Sequence, residues 1–206
     1  MSNRTDVARR RYDRLAPFFD LMEAPVERSR FSGWRKLLWS KVGGRDILEV
    51  GVGTGKNFSY YPVDIEIVAI DFSEKMLQRA RAKARINKVR VNLRQMDVQN
   101  LEFDDNSFDT VAASFVFCSV PDAVHGLREV KRVVRDGGKV ILLEHVLSDN
   151  PVVAWFMNLI NPLVVPIIEN INSRTVDNVV QSGLVLDQVT DLSAGIFKLI
   201  EARKIS

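Results

Sequence analysis

The chain predicts an α/β fold: a mostly parallel sheet with helices on both faces and an antiparallel pair at its end. Three observations carry this. Short apolar runs alternate with helix-periodic segments from residue 46 to 146, the pattern of βαβ units. A glycine cluster, EVGVGTGKNF (49–58), follows the first apolar run. The last two strand-like segments are separated only by Ser193-Ala194-Gly195, too little chain for a parallel crossover.

Residues 5–41 read as helical. Val7, Tyr12, Leu15 and Phe19, then Phe31, Trp34, Leu37 and Leu38, recur at three- and four-residue steps, punctuated by Pro17 and Pro25. DILEV (46–50) and EIVAI (66–70) are short apolar strands. Ser73 is a good N-cap for a helix over 73–87, with Met76, Leu77 and Ala80 as its apolar stripe. VRVNLRQM (89–96) alternates as a strand, and SFDTVAASFVF (107–117) is a fourth with an aromatic exit. A helix over 122–134 is expected to end at Asp136-Gly137-Gly138, before a buried strand, KVILLEHV (139–146). A short helix at 175–183 precedes the final strands, LVLDQVTDL and IFKLIEARK.

With 206 residues, 46% of them apolar, the chain fits one globular domain with a sizeable core. Its one cysteine, Cys118, excludes an internal disulfide, so a reducing cytosol is expected and a buried apolar role suits the thiol. No CxxC or CxxH cluster is present, and no metal is expected. The net charge is +3, and residues 1–41 carry ten Lys/Arg against five Asp/Glu. RRRYDRLAPFFDLM (9–22) reads as a basic amphipathic helix in peripheral contact with an anionic membrane, or as an ordinary helix with its arginines in water. No nucleic-acid motif accompanies the charge, and nucleic acid is not expected as a partner. The polar first fifteen residues do not form a secretory signal. The uncharged run Asn150–Ile168 approaches spanning length, but its three prolines and three asparagines argue for broken helices covering apolar surface.

A glycine loop between a first strand and a helix is a nucleotide-type site at the carboxyl edge of a sheet. Asp71 ends the second strand twenty residues after Gly51, where a carboxylate can take both ribose hydroxyls. A dinucleotide fingerprint wants a small third residue at 56; Lys56 stands there, and the third glycine is Gly55. A pyrophosphate on this loop would be repelled by Glu49. S-adenosyl-L-methionine has no phosphate and carries an ammonium and a sulfonium, so Glu49 suits it, directly or through water.

ILEVGVGTG, AIDFS, QMDVQNLEFDDNSFD and LREVKRVVRDGGKVILLEH stand in the order of the motifs of class I S-adenosylmethionine-dependent methyltransferases, and the chain resembles that family over residues 45–146. The resemblance implies a Rossmann-like seven-stranded, mostly parallel sheet with an antiparallel last strand. It implies one methyltransferase domain over 1–206: an N-terminal helical lid (1–43), a cofactor-binding core (44–147), and acceptor-side helices with the final strand pair (148–206). Glu49, Gly51, Gly53, Thr54 and Gly55 match the methionine loop. Asp71 matches the ribose carboxylate, with Phe72 and Met76 beside the adenine; Met76 reads equally well as core. Asp97 matches the residue meeting the adenine amine, with Val98 next to it; a turn role is the alternative. Ser114 and Phe115 match the strand-four exit beside the methyl group.

Three acceptor classes resemble this chain. The N-terminal segment resembles the opening helix of quinone-ring C-methyltransferases and bacterial phosphatidylethanolamine N-methyltransferases, in which a tyrosine matching Tyr12 caps the cofactor. The quinone enzymes carry an Arg-Asn pair after strand four, where this chain has Phe115-Val116-Phe117-Cys118-Ser119-Val120. NFSYYP (57–62) and LLEHV (142–146) resemble membrane-associated thiol methyltransferases. Methyl transfer needs alignment and exclusion of water more than a particular side chain. His145, ending strand five, reads as an acceptor-side base or as a hydrogen-bonded core histidine; His125 reads as idle. Trp155, Phe156 and Met157 read as an acceptor wall, or as core or a dimer contact. The expected acceptor is small and lipophilic or amphipathic, narrowly a phospholipid headgroup amine, with an alkyl thiol or quinol next. A non-catalytic cofactor-binding module is the rival class; its mark would be a degraded loop, and this one is intact.

Overall fold

The structure is a computed structural model that describes residues 3–164 and 171–205. It opens with helix α1 (Asn3–Val26), a π-helical turn (Glu27–Phe31) and α2 (Ser32–Lys41). There follow β1 (Ile47–Val50), β2 (Ile67–Asp71), α3 (Glu74–Asn87), β3 (Val91–Gln95), β4 (Phe108–Ser114), α4 (Ala123–Val133) and β5 (Val134–His145). The chain ends with α5 (Pro151–Val164), α6 (Thr175–Gln181), β6 (Val185–Ser193) and β7 (Phe197–Arg203).

The seven strands form one sheet in the order β3-β2-β1-β4-β5-β7-β6. β7 is antiparallel to both neighbours, β5 and β6, and every other pairing is parallel. This is the Rossmann-like architecture expected. β1 and β4 are buried almost throughout, as parallel strands covered on both faces must be. Leu127, Val130 and Val179 form one covering layer, and Leu38, Trp39, Leu77 and Ala80 the other. The strand order reverses beside β1, between β1 and β4, which places a ligand crevice at the carboxyl ends of these strands.

Several boundaries depart from the sequence reading. Pro17 and Pro25 do not divide α1, which runs through both. An interior proline costs about 3 kcal/mol, but α1 is anchored on either side of Pro17 by Asp13 to Ser73 and Asp20 to Thr54. Its buried face is Thr5, Ala8 and Ala16 rather than Val7, which is 65% exposed. β4 stops at Ser114 because Phe115 adopts a left-handed φ of 58°, strained for a side chain of that size. The Asp136-Gly137-Gly138 segment does not separate α4 from a strand. It bulges within β5, where Phe108 pairs with Val134 but Thr110 pairs with Lys139, and Gly137 takes a φ of 75°.

The uncharged segment also differs. α5 continues past Pro162 to Val164, and the rest of the run, 165–170, lies outside the described residues. α5 buries Met157, while Trp155 and Phe156 are 65% and 55% exposed, so these two rings do not form an inner wall. A helix that is apolar all round has no phase from which its buried side can be read. Among the described residues no helix is long and apolar enough to cross a membrane.

Candidate active site

The carboxyl ends of β1, β2, β4 and β5, roofed by α1, enclose a cavity of about 440 Å³, within the range of small-molecule sites. Of the residues assigned to the cofactor or the reacting end in the sequence, all line it except Glu49 and Gly55; Trp155, Phe156 and Met157, read as an acceptor wall, do not border it.

The loop after β1 is shaped by its glycines. Gly51 has a φ of 69°, and a Cβ there would meet Val116 Cγ2 at 2.3 Å. Gly55 turns toward Phe58 instead: a Cβ on it would lie 2.3 Å from that ring. At Gly53 a Cβ would meet nothing within 4 Å, so that backbone borders open space. Asp71 organises both adjoining loops: Oδ2 accepts from the Gly53 N–H at 2.8 Å and Oδ1 from the Ser73 N–H at 2.9 Å. Burial pushes its pKa up to about 6, against the lowering effect of those bonds. Ser73 caps α3, accepting from the Met76 N–H. Met76 is buried and borders the cavity, so its core and wall roles coincide. Asp97 makes a turn, Oδ1 accepting from the Gln99 N–H at 2.9 Å, and still borders the cavity beside Val98.

Glu49 stands behind the wall. Its two oxygens accept from the Asn57 amide and the Tyr61 hydroxyl, so of the two expected modes, direct or through water, the direct one does not fit this placement. Burial raises its pKa to about 7, although Asn57, Tyr61 and the Arg35 charge act the other way. Sequence reasoning missed Arg35, which borders the cavity and is buried. Its Nη1 donates to Ser114 Oγ at 2.8 Å and Asn57 Oδ1 at 3.2 Å, and its Nε to Glu27. Its guanidinium lies 5.3 Å from the Phe115 ring centroid. A signal existed: Arg35 sits at helical spacing from Phe31 and Leu38, on the stripe that packs inward. Glu144 was also missed; Oε1 accepts from the Val116 and Phe117 N–H groups and shapes the turn after β4.

The far end is aromatic. Phe31 lies 4.7 Å from Phe115 and 5.7 Å from Phe197 between centroids, and His145 meets Phe197 edge-on at 5.0 Å. Burial lowers the His145 pKa to about 4, and its Nδ1 is buried with no hydrogen-bond partner among the described residues. This imidazole is neutral at ordinary pH and a weak proton sink. Tyr12 of α1 faces Phe72, just after β2, at 5.6 Å between ring centroids. Cys118 is buried, as expected.

The profile of a methyltransferase domain matches residues 48–142. A ubiquinone/menaquinone biosynthesis C-methyltransferase of Geobacter sp. (strain M21) is 32% identical over 162 residues, 74% of this chain and 68% of that protein. The chain belongs to the S-adenosylmethionine-dependent methyltransferase family. Another methyltransferase of the curated set, a phosphatidylethanolamine N-methyltransferase of Cereibacter sphaeroides, is 44% identical over 110 residues, 52% of this chain; the match spans about half of that relative, 53%. A solved methyltransferase structure from Thermotoga maritima, described as a possible histamine N-methyltransferase, superposes with a TM-score of 0.73 over 95% of this chain and 99% of that one, at 20% identity. That likeness extends the methyltransferase fold over nearly the whole chain.

Proposed function

We propose that this methyltransferase transfers a methyl group to a small lipophilic or amphipathic acceptor, narrowly the amine of a phospholipid headgroup. The observation that carries it is the two-ended cavity. One end is polar and built from the β1–β3 loops; the other is walled by Phe31, Phe115, Phe197 and His145. Bound S-adenosylmethionine supplies a methyl group already activated by its sulfonium. Asp71 accepts the ribose hydroxyls, Asp97 meets the adenine amine, and the Gly51–Gly53 backbone lies against the methionine tail. Arg35, fixed by Asn57 and Ser114, meets the tail's carboxylate as a charge-assisted partner. Tyr12 and α1 cover the cofactor and exclude water.

His145, neutral and with an open Nδ1, accepts a hydrogen bond from the acceptor's N–H and orients its lone pair toward the methyl carbon. Its lowered pKa makes it a positioning group, so the amine enters already unprotonated. The outer face of α1 exposes Arg10 and Arg14 beside Phe18 and Leu21, and with the apolar face of α5 it supports work at an anionic membrane surface by a cytoplasmic enzyme. The likeness to the phospholipid relative supports the amine. The longer match to the quinone relative favours C-methylation of a quinol as the second reading.

Incubation with methyl-labelled cofactor and a panel of phosphatidylethanolamine, quinols and alkyl thiols tests the acceptor. Label in the phospholipid is expected; label only in a quinol or thiol replaces the amine, and no transfer to any of them removes the lipophilic class.

A further inference from the structure

α1 is tied to each of the three loops that border the cofactor end of the cavity. Gln99 Nε2 donates to Thr5 Oγ1 at 3.0 Å, Ser73 Oγ to Asp13 Oδ1 at 2.6 Å, and Thr54 Oγ1 to Asp20 Oδ1 at 2.6 Å. These partners follow β3, β2 and β1 respectively, so α1 runs from the adenine end of the site to the methionine end. Asp13 and Asp20, seven residues apart, project from one helical face, and Tyr12, Leu15 and Phe19 border the cavity around them. A cofactor lying beneath α1 is covered along this length of the helix.

The third tie is unlike the others. Asp20 also faces three cations: Lys56 at 3.3 Å, Arg79 at 3.5 Å and Lys83 at 3.6 Å. Burial would raise its pKa, but the Thr54 bond and the charges of Lys83 and Lys56 outweigh burial and lower it. Lys56 belongs to the glycine loop, and Arg79 and Lys83 lie one turn apart on α3. One carboxylate of α1 therefore joins the loop after β1 to the helix after β2. Without it, three like charges would face one another across the gap it fills.

We propose that Asp20 is a positioning residue that locks α1 over the bound cofactor and sets the rate at which cofactor and product exchange. The Thr5 and Asp13 ties reach an amide and a hydroxyl. Among the described residues Asp20 is the tie that pairs with full charges, and ionic strength acts through it. The inference rests on the cofactor lying in this cleft.

The test loads the full chain with methyl-labelled S-adenosylmethionine and measures loss of label after a chase with excess unlabelled cofactor, at low and moderate salt. Asp20→Asn keeps an oxygen for Thr54 and removes the charge. Release from it is expected about tenfold faster than from the wild type, the scale of one charge-assisted contact, with a flattened salt dependence. Asp20→Glu should restore both, and Lys36→Ala, on the exposed face of α2, should leave both unchanged. Release from Asp20→Asn at the wild-type rate, or with the wild-type salt slope, overturns the proposal. Should that variant not fold, Lys83→Gln must lower the salt slope; an unchanged slope overturns it equally. Retained binding by Asp71→Ala would instead refute the placement of the cofactor, a failure distinguishable from that of the latch.

Discussion

At the β1–β3 end of the cavity almost every polar side chain is held by another part of the chain. Asp71 takes two backbone N–H groups, Asp20 and Asp13 take hydroxyls, and Glu49 takes Asn57 and Tyr61. At the β5–β7 end the walls are rings, the His145 Nδ1 has no hydrogen-bond partner among the described residues, and α5 shows Val152, Trp155, Phe156 and Leu159 to the outside. The difference separates two kinds of recognition. A ligand with many hydrogen-bonding groups needs its partners fixed in advance, because a buried donor or acceptor left unmatched costs about 1–3 kcal/mol. A lipophilic acceptor is held by area and shape, which rings supply without fixed polar geometry.

The largest break in that contrast comes at Asp71. Asp71→Ala removes a carboxylate that would accept two charge-assisted bonds and that also steadies both loops. Titration calorimetry should show cofactor affinity reduced by about a hundredfold or more. Binding within a few-fold of wild type would mean the polar end is not the cofactor end.

Next in size is pH. In the proposed site the ionised form of Asp71 accepts from the ribose hydroxyls, and in the free protein burial holds its pKa at about 6. Below that pH, binding must expel a proton. Affinity should be flat above about pH 7 and weaken toward tenfold per pH unit below 6. Folding stability has the opposite sign. A carboxyl whose folded pKa lies above its unfolded value contributes stability at low pH. That contribution is lost as pH rises, through about 6 for Asp71 and about 7 for Glu49. Calorimetry over that range, with melting curves of the free protein, checks both signs; affinity that rises on acidification would contradict the ribose role.

The smallest expected effect on the fold lies on α5. Trp155→Ser with Phe156→Ser alters exposed rings, so stability should change by less than about 0.5 kcal/mol and cofactor affinity should not change. KM for a vesicle-borne acceptor should rise severalfold while kcat for a soluble short-chain analogue is kept. Equal loss on both substrates would show that α5 supports the site rather than the approach to it.

Much of the cofactor end was legible in the chain. Alternating apolar runs and helical stripes gave the order of elements, and a three-residue connection forced β6 and β7 to be antiparallel. Glycines at a strand exit and a carboxylate ending the next strand marked the ligand, because turn chemistry is local. Arg35, Asp13, Asp20 and Glu144 were less visible. Each acts on a segment far along the chain, and sequence period reports a side chain's face but not the partner across from it.

From sequence alone came the sheet, its antiparallel strand, the methyltransferase motifs and the positions of Asp71 and the glycine loop. These follow from backbone preference and hydrophobic period, which a short stretch of chain already expresses. The tertiary structure decided that Glu49 faces Asn57 and Tyr61 from behind the wall, that α1 survives its prolines, that Arg35 enters the site, and that α5 turns its rings outward. Those outcomes depend on which distant surfaces meet. Anchoring contacts outweigh a proline's local penalty, and a helix apolar on every side takes its buried face from its neighbours.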